Sequence, residues 1–193
     1  MGVVQLRWSV PCDGVDGIEV TPEVIFLACG EVAAAFDADS GRPLWESIIP
    51  DLSGSASISL HDETLRVTSW RGDIVVLDAA TGELHDAVTG DHPVAPVAGS
   101  DLPADYAFEQ GRLSYGGDTV WTSTSPHPPL VVRVQGFTVV NDDDQGVRVV
   151  DDAGHLMLEF DTDGAEFPGA LCAERDVVIA ATSDGVLLRI DVS

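Results

Sequence analysis

The chain contains no lysine: all nine of its basic residues are arginines, set against 33 aspartates and glutamates. The formal net charge is −24. A surface this negative repels phosphate backbones and anionic lipids, so the composition argues against nucleic acid and membranes as partners. The acids are spread along the whole chain, and at about 1 M salt the Debye length falls to ~3 Å, which makes such repulsion tolerable. We therefore expect halophilic adaptation of an acidic protein rather than a dedicated cationic ligand. A lysine-poor genome of high GC content would contribute to the same composition.

Long apolar runs are also missing, and none approaches the roughly 20 residues that a membrane-spanning helix requires. Residues 1–10 alternate apolar and polar side chains and lack both the basic region and the unbroken apolar stretch of a secretory signal. We therefore expect a cytoplasmic protein. The three cysteines are far apart and form no Cys-x-x-Cys pair, which argues against a zinc site or a redox dithiol. Hydrophobic residues make up 45% of the 193, enough for a core, and we expect a single domain over residues 1–193.

The clearest positive signal is an internal repeat. An apolar residue, any residue, Asp, three residues and Gly occur at 35–41 and again at 76–82, with looser copies further along. The anchoring aspartates, Asp37, Asp78, Asp151 and Asp191, are 41, 73 and 40 residues apart, and 73 is close to two periods of about 37. Runs rich in β-branched residues precede these aspartates, and glycines punctuate the hairpins between the runs. The pattern predicts an all-β chain with four short strands to each repeat of about 40 residues.

The pattern Ala35-x-Asp37-x-x-x-Gly41-x-x-x-Trp45 resembles the repeats of the PQQ-like quinoprotein propellers. The resemblance implies a small β-propeller of four-stranded antiparallel blades, and the spacing favours five blades. It is weak over residues 88–129, where residues 94–97 predict an inner strand and residues 102–108, 111–116 and 118–122 predict the strands that complete a divergent blade. Four blades with a long insertion are the alternative. The quinoprotein dehydrogenases of this family carry a vicinal cysteine pair over their cofactor and have larger rings. This chain has no Cys-Cys pair, so we predict no cofactor and in particular no PQQ.

The two ends of the chain support a complete last blade. Residues 186–192 correspond to the third strand of a blade, after which the chain ends. Residues 4–10 correspond to a fourth strand, with Trp8 in the place that Trp45 occupies in its repeat. We therefore expect the N-terminal strand to complete the last blade and to close the propeller, which removes open sheet edges.

Acidic clusters are the candidates for a metal site. The run Asn141, Asp142, Asp143 and Asp144 places four oxygen-bearing side chains side by side and is the best candidate for calcium. Its spacing does not complete an EF-hand pattern, and solvated acids in repeat turns explain it as well. The five histidines show none of the i, i+2 or i, i+4 spacings of metal ligands.

No catalytic motif is present: the sequence has no G-x-S-x-G elbow, no P-loop and no dinucleotide-binding glycine pattern. The pair Trp70 and Arg71 falls in a turn between the second and third strands of a blade, and Trp beside Arg at an exposed turn is typical of protein-binding hot spots. We therefore expect a non-enzymatic binding or scaffold module that presents one propeller face to a protein partner. The alternative is an enzyme or small-ligand binder that uses the central channel.

Overall fold

A computed structural model describes residues 2–12, 15–49, 52, 55–89, 102–125, 127–142, 145–161, 169–182 and 184–193. In chain order the strands of these residues are β1 (Val4–Pro11), β2 (Gly17–Val20), β3 (Val24–Cys29), β4 (Val32–Asp37), β5 (Pro43–Ile48), β6 (Ser55–His61), β7 (Thr64–Ser69), β8 (Ile74–Asp78), β9 (Leu84–Val88), β10 (Tyr106–Glu109), β11 (Arg112–Tyr115), β12 (Asp118–Thr122), β13 (Leu130–Val134), β14 (Phe137–Asp142), β15 (Gly146–Val150), β16 (Leu156–Phe160), β17 (Ala170–Glu174), β18 (Val177–Ala181) and β19 (Val186–Val192). The described residues contain no helix, and hence none with the length and apolarity to cross a bilayer.

The strands form five antiparallel sheets, four of four strands and one of three strands among the described residues. The all-β prediction is confirmed, and the five sheets agree with five blades rather than four. The weakly matching stretch supplies the three-stranded sheet β10-β11-β12. A further inner strand predicted at residues 94–97 lies outside the described residues.

Two compact units divide the chain, one of Met1–Gly14 with Gly99–Ser193 and one of Val15–Ala98. The expectation of a single domain stays a prediction. The unit of Val15–Ala98 contains two sheets, β2-β3-β4-β5 and β6-β7-β8-β9. Its core is made of alternate residues of the inner strands, such as Ala33, Ala35, Leu65 and Val67, none of which is exposed. Period-two alternation therefore decides which side chains enter the core.

The other unit contains the sheets β1-β19-β18-β17, β13-β14-β15-β16 and β10-β11-β12. Strand β14 is buried over its whole length, as are the described residues of β15. Valines and leucines of β14, β15, β18 and β19 form one core cluster, and Tyr106, Leu113 and Val120 pack with Val140 and Val150 in a second. The three-stranded sheet thus buries its own apolar face within this unit.

The N-terminal strand completes the sheet of the C-terminal strands, as predicted. Strand β1 pairs antiparallel with β19, with Val4 opposite Val192 and Pro11 opposite Val186. A bulge lies between Leu6 and Trp8. Beyond the strands, the backbone N–H of Val3 donates to the carbonyl of Ser193 (2.5 Å) and that of Ser193 donates back (2.9 Å).

Turns after the third strand of a blade are built by the repeat aspartates. In the β8–β9 turn, Asp78 Oδ1 accepts hydrogen bonds from the backbone N–H groups of Ala80 (3.0 Å) and Thr81 (2.8 Å) and from the Thr81 hydroxyl (2.9 Å). Gly82 then takes a φ of 73°, a left-handed conformation that favours glycine. The spacing Asp-x-x-Ser/Thr-Gly therefore reflects the hydrogen bonds of one turn type.

Candidate functional site

The turn between β7 and β8 carries the two residues for which the sequence predicts partner binding. Ser69, which is fully buried, ends β7 and organises the turn. Its Oγ accepts hydrogen bonds from the backbone N–H groups of Arg71 (3.2 Å) and Asp73 (3.0 Å) and donates to Asp73 Oδ2 (3.0 Å). The Gly72 N–H donates to the Ser69 carbonyl (3.0 Å), and Gly72 has a φ of 87°. A network this complete fixes the backbone of the turn.

Trp70 and Arg71 are both exposed at the tip of this turn, and 39% of Trp70 is accessible to solvent. Within the described ranges, Arg71 makes no ion pair and the Trp70 indole makes no hydrogen bond or aromatic contact. A tryptophan usually finds a partner for its N–H and covers its rings when it serves only packing. A fixed turn that presents an aromatic ring next to a guanidinium loses little conformational entropy when a partner binds.

The electrostatic surroundings isolate Arg71. Residues 15–89 contain fourteen acids and three arginines, of which Arg71 is one. Its guanidinium is therefore a local positive group on a negative unit, suited to bidentate pairing with a carboxylate on a partner.

The acidic run proposed as a calcium site is already used in part by the fold. Asn141 is 1% exposed, and its Nδ2 donates to the carbonyls of Ala170 (3.2 Å) and Ala181 (3.1 Å). Asp142 is also buried and accepts a hydrogen bond from Trp121 Nε1 (3.2 Å) at its Oδ2. Asp143 and Asp144 lie outside the described residues, and among those described no three His, Cys, Asp or Glu side chains are grouped to hold a metal. The calcium site stays a prediction.

The other acidic turns use their carboxylates internally. Asp37 Oδ1 accepts from the Ser40 hydroxyl (2.6 Å) and from the Ser40 backbone N–H (2.8 Å), and these bonds hold the pKa of Asp37 below its ordinary value. In the same way the Thr81 hydroxyl and then the Thr81 N–H lower the pKa of Asp78. These carboxylates stabilise turns through hydrogen bonds to their charged form.

Known proteins support the repeat assignment. The family model described as "Outer membrane protein assembly factor BamB" matches residues 28–92, which is 65 of the 193 residues. That stretch includes both motif copies, at Asp37 and Asp78, and the Trp70 turn. Residues 28–92 therefore carry PQQ-like β-propeller repeats. No curated protein matches it.

Solved structures of propellers resemble the chain at low identity. BamB from Moraxella catarrhalis is 13% identical with a TM-score of 0.48, and the match covers 98% of each chain. The WD40 β-propeller domain of Doa1 is 11% identical with a TM-score of 0.49, covering 99% of this chain and 97% of that one. The computationally designed Ika4 protein is 14% identical with a TM-score of 0.38, covering 92% and 90%. At these values none of the three assigns a function or a partner to the PQQ-like repeats.

Proposed function

We propose that this PQQ-like repeat protein is a non-enzymatic binding module that engages a protein partner through the turn of Trp70 and Arg71. The observation that carries the proposal is the exposure of Trp70 on a turn whose backbone is fixed by the buried Ser69. Tryptophan and arginine are enriched among the few residues that carry most of the binding energy of protein interfaces, at positions that lose water on binding. The description of the matched family model as an assembly factor is consistent with a role in binding proteins.

The partner surface follows from the chemistry of the turn. A flat or concave apolar patch would cover the Trp70 ring, and a carboxylate at its border would pair with Arg71. Because the chain as a whole carries a charge of −24, the rest of the partner's contact surface is expected to be basic. Binding would therefore weaken as salt rises, since screening reduces the attraction between the two surfaces.

The test uses a double variant that carries both Trp70→Ala and Arg71→Ala. This variant and the wild type are each used for affinity capture from cells that produce the protein. Partners captured by the wild type are then purified and titrated against both proteins. We expect the double variant to lose at least about tenfold in affinity, which is the loss typical of hot-spot residues. The control is Arg66→Ala, which removes an exposed arginine from β7 and leaves the turn unchanged. An unchanged affinity in the double variant, or an equal loss in the control, contradicts the proposal.

A further inference from the structure

A second surface lies within the unit of Val15–Ala98, where strand β5 meets the turn between β8 and β9. The Ser47 hydroxyl donates to the carbonyl of Gly82 (2.5 Å), and Trp45 Nε1 donates to the carbonyl of Ala79 (3.0 Å). These bonds hold β5 against the turn and leave a cavity of about 250 Å³ beside them. The cavity is lined by Ser47, Ile48, Ile49, Leu77, Gly82, Glu83 and Leu84.

The cavity has a buried apolar floor and an exposed apolar rim. Leu77 and Ile49 are buried, whereas 72% of Ile48 and 57% of Leu84 are accessible to solvent. Side chains of this size gain free energy when they are removed from water, and here two of them flank one opening. The rim is therefore suited to an apolar group inserted between Ile48 and Leu84.

Strand β9 offers backbone partners next to this cavity. It begins at Leu84, all five of its residues are exposed, and in the described part of the chain it pairs with β8 alone. A strand at the edge of a sheet presents N–H and C=O groups on its free side, which an extended peptide can use. The Ala87 N–H donates to Asp86 Oδ1 (2.9 Å), so a peptide that pairs at Ala87 has to displace this exposed side-chain bond.

The charge of the residues around the cavity indicates which class of ligand it binds. Residues 43–49 and 77–88 contain four acids, Glu46, Asp78, Glu83 and Asp86, and no arginine. The volume of the cavity is below the roughly 300–1,000 Å³ of typical small-molecule sites, so it suits one or two side chains of a peptide. An acidic rim around a site of side-chain size fits a basic peptide better than a metabolite.

We infer that the cavity and the edge of β9 bind an extended segment of a partner protein in which an apolar side chain is flanked by lysine or arginine. The apolar side chain enters between Ile48 and Leu84, the basic residues face Glu46 and Glu83, and the backbone runs along β9. This site differs from the Trp70 turn, because no residue of that turn, 70–73, lines the cavity. The inference stands whether or not Trp70 and Arg71 bind a partner.

The test uses a short fluorescein-labelled peptide that alternates arginine with leucine, titrated with the full chain and followed by fluorescence anisotropy. We expect saturable binding that weakens about tenfold in the double variant Ile48→Thr with Leu84→Thr, because the covered apolar area is lost. Threonine is β-branched and is common in strands, so it suits both β5 and β9. The matched control is Leu156→Thr, which changes another exposed leucine (50% accessible) on the outer strand β16 and should bind as the wild type does.

Two further arms separate the site from general attraction to an acidic protein. A peptide with serine in place of leucine should bind at least about tenfold more weakly, and Glu46→Gln with Glu83→Gln should reduce the salt dependence. Equal binding of the serine peptide, an equal loss in Leu156→Thr, or no binding to the wild type overturns the inference. If the double variant does not fold, a photoreactive leucine analogue in the peptide should cross-link the wild type at residues 47–49 or 82–84, and cross-linking elsewhere overturns it.

Discussion

Replacement of Gly82 by alanine tests how the repeat motif joins one sheet to the next in the unit of Val15–Ala98. The backbone at Gly82 has a φ of 73°, where an L side chain costs about 1 kcal/mol or more. A Cβ built there would lie 2.6 Å from Ser47 Oγ and 2.6 Å from Trp45 Cε3. The Trp45 ring, whose Nε1 donates to Ala79, would have to shift, and overpacking of this kind costs about 1–3 kcal/mol. We expect the Gly82→Ala variant to lose about 3 kcal/mol of unfolding free energy.

The matched control is Gly30→Ala in the same unit. Gly30 also has a positive φ, of 54°, but a Cβ there would meet no atom within 4 Å. Only the backbone cost remains, so we expect a loss of about 1 kcal/mol. Urea unfolding of both variants and the wild type at one fixed salt concentration measures the difference. Equal losses in the two variants would refute the argument that contact between Trp45 and Gly82 fixes this turn.

Three further predictions concern the other unit and the charges. The Tyr106 hydroxyl and Thr138 Oγ1 share a buried hydrogen bond of 2.7 Å, so Tyr106→Phe should cost about 1–2 kcal/mol in urea unfolding; a neutral result would show that neither group needs the other. Because the pKa of Asp78 is lowered in the fold by Thr81, its contribution to stability is present above the unfolded pKa and is lost as pH falls through the folded pKa. A carboxyl NMR titration should give Asp78 a pKa below the ordinary 3.8, and the Thr81→Ala substitution should raise that pKa. An unchanged titration midpoint in the variant contradicts this. Finally, raising KCl from 0.1 M to 1 M shortens the Debye length from about 10 Å to ~3 Å. This should move the urea midpoint upward for a chain of charge −24, whereas a flat dependence would argue against salt adaptation.

The sequence predicts the fold best where the repeat chemistry is local. The aspartates at 37, 78 and 151 accept hydrogen bonds from backbone N–H groups two to four residues ahead, so the spacing of the motif specifies the turn by itself. Asp191, the fourth predicted anchor, differs: it lies within β19 and accepts from Arg189 Nε (2.9 Å) and pairs with Arg7 (3.0 Å). Its carboxylate forms ion pairs with Arg7 of β1 and with Arg189 of its own strand and does not build a turn among the described residues.

Strands were also predictable where the pattern is weak, but their contacts were not. Residues 102–108, 111–116 and 118–122 predict three strands of a divergent blade, and the structure has strands at Tyr106–Glu109, Arg112–Tyr115 and Asp118–Thr122. Tertiary contacts stabilise these strands. Tyr106 and Tyr115 pack with ring centroids 5.0 Å apart, and the Arg133 guanidinium lies 4.0 Å from the centroid of the Tyr115 ring. Burial alone would lower the pKa of Arg133, but hydrogen bonds to Tyr106 and Asp152 raise it above its ordinary value. Arg133 is distant in sequence from the tyrosines, so no local pattern indicates this cluster.

The candidate sites also differ in whether local sequence predicts them. The exposure of a turn at Trp70 and Arg71 follows from the hairpin glycine, whereas the apolar rim of Ile48 and Leu84 does not follow from any motif. Both residues lie on outer strands, where one face of an alternating strand packs on a neighbour and the other meets solvent. The bulges in the pairing of β4 with β5 and of β8 with β9 each shift the register by one residue. They therefore decide which residues of the outer strand face solvent. An apolar residue at a position that faces solvent indicates such a rim, and that position can be recognised only when the strand register is known.

The pairing of β1 with β19 has a consequence for the order of events during translation. Strand β1 leaves the ribosome well before its partner, because the other described strands lie between the two in the chain, so the sheet β1-β19-β18-β17 is incomplete until β19 has been synthesised. At about 5–20 residues per second this leaves β1 without its partner for roughly 10–40 s. During that interval the segment has no partner within its own chain, which is the condition under which two copies can exchange an identical strand.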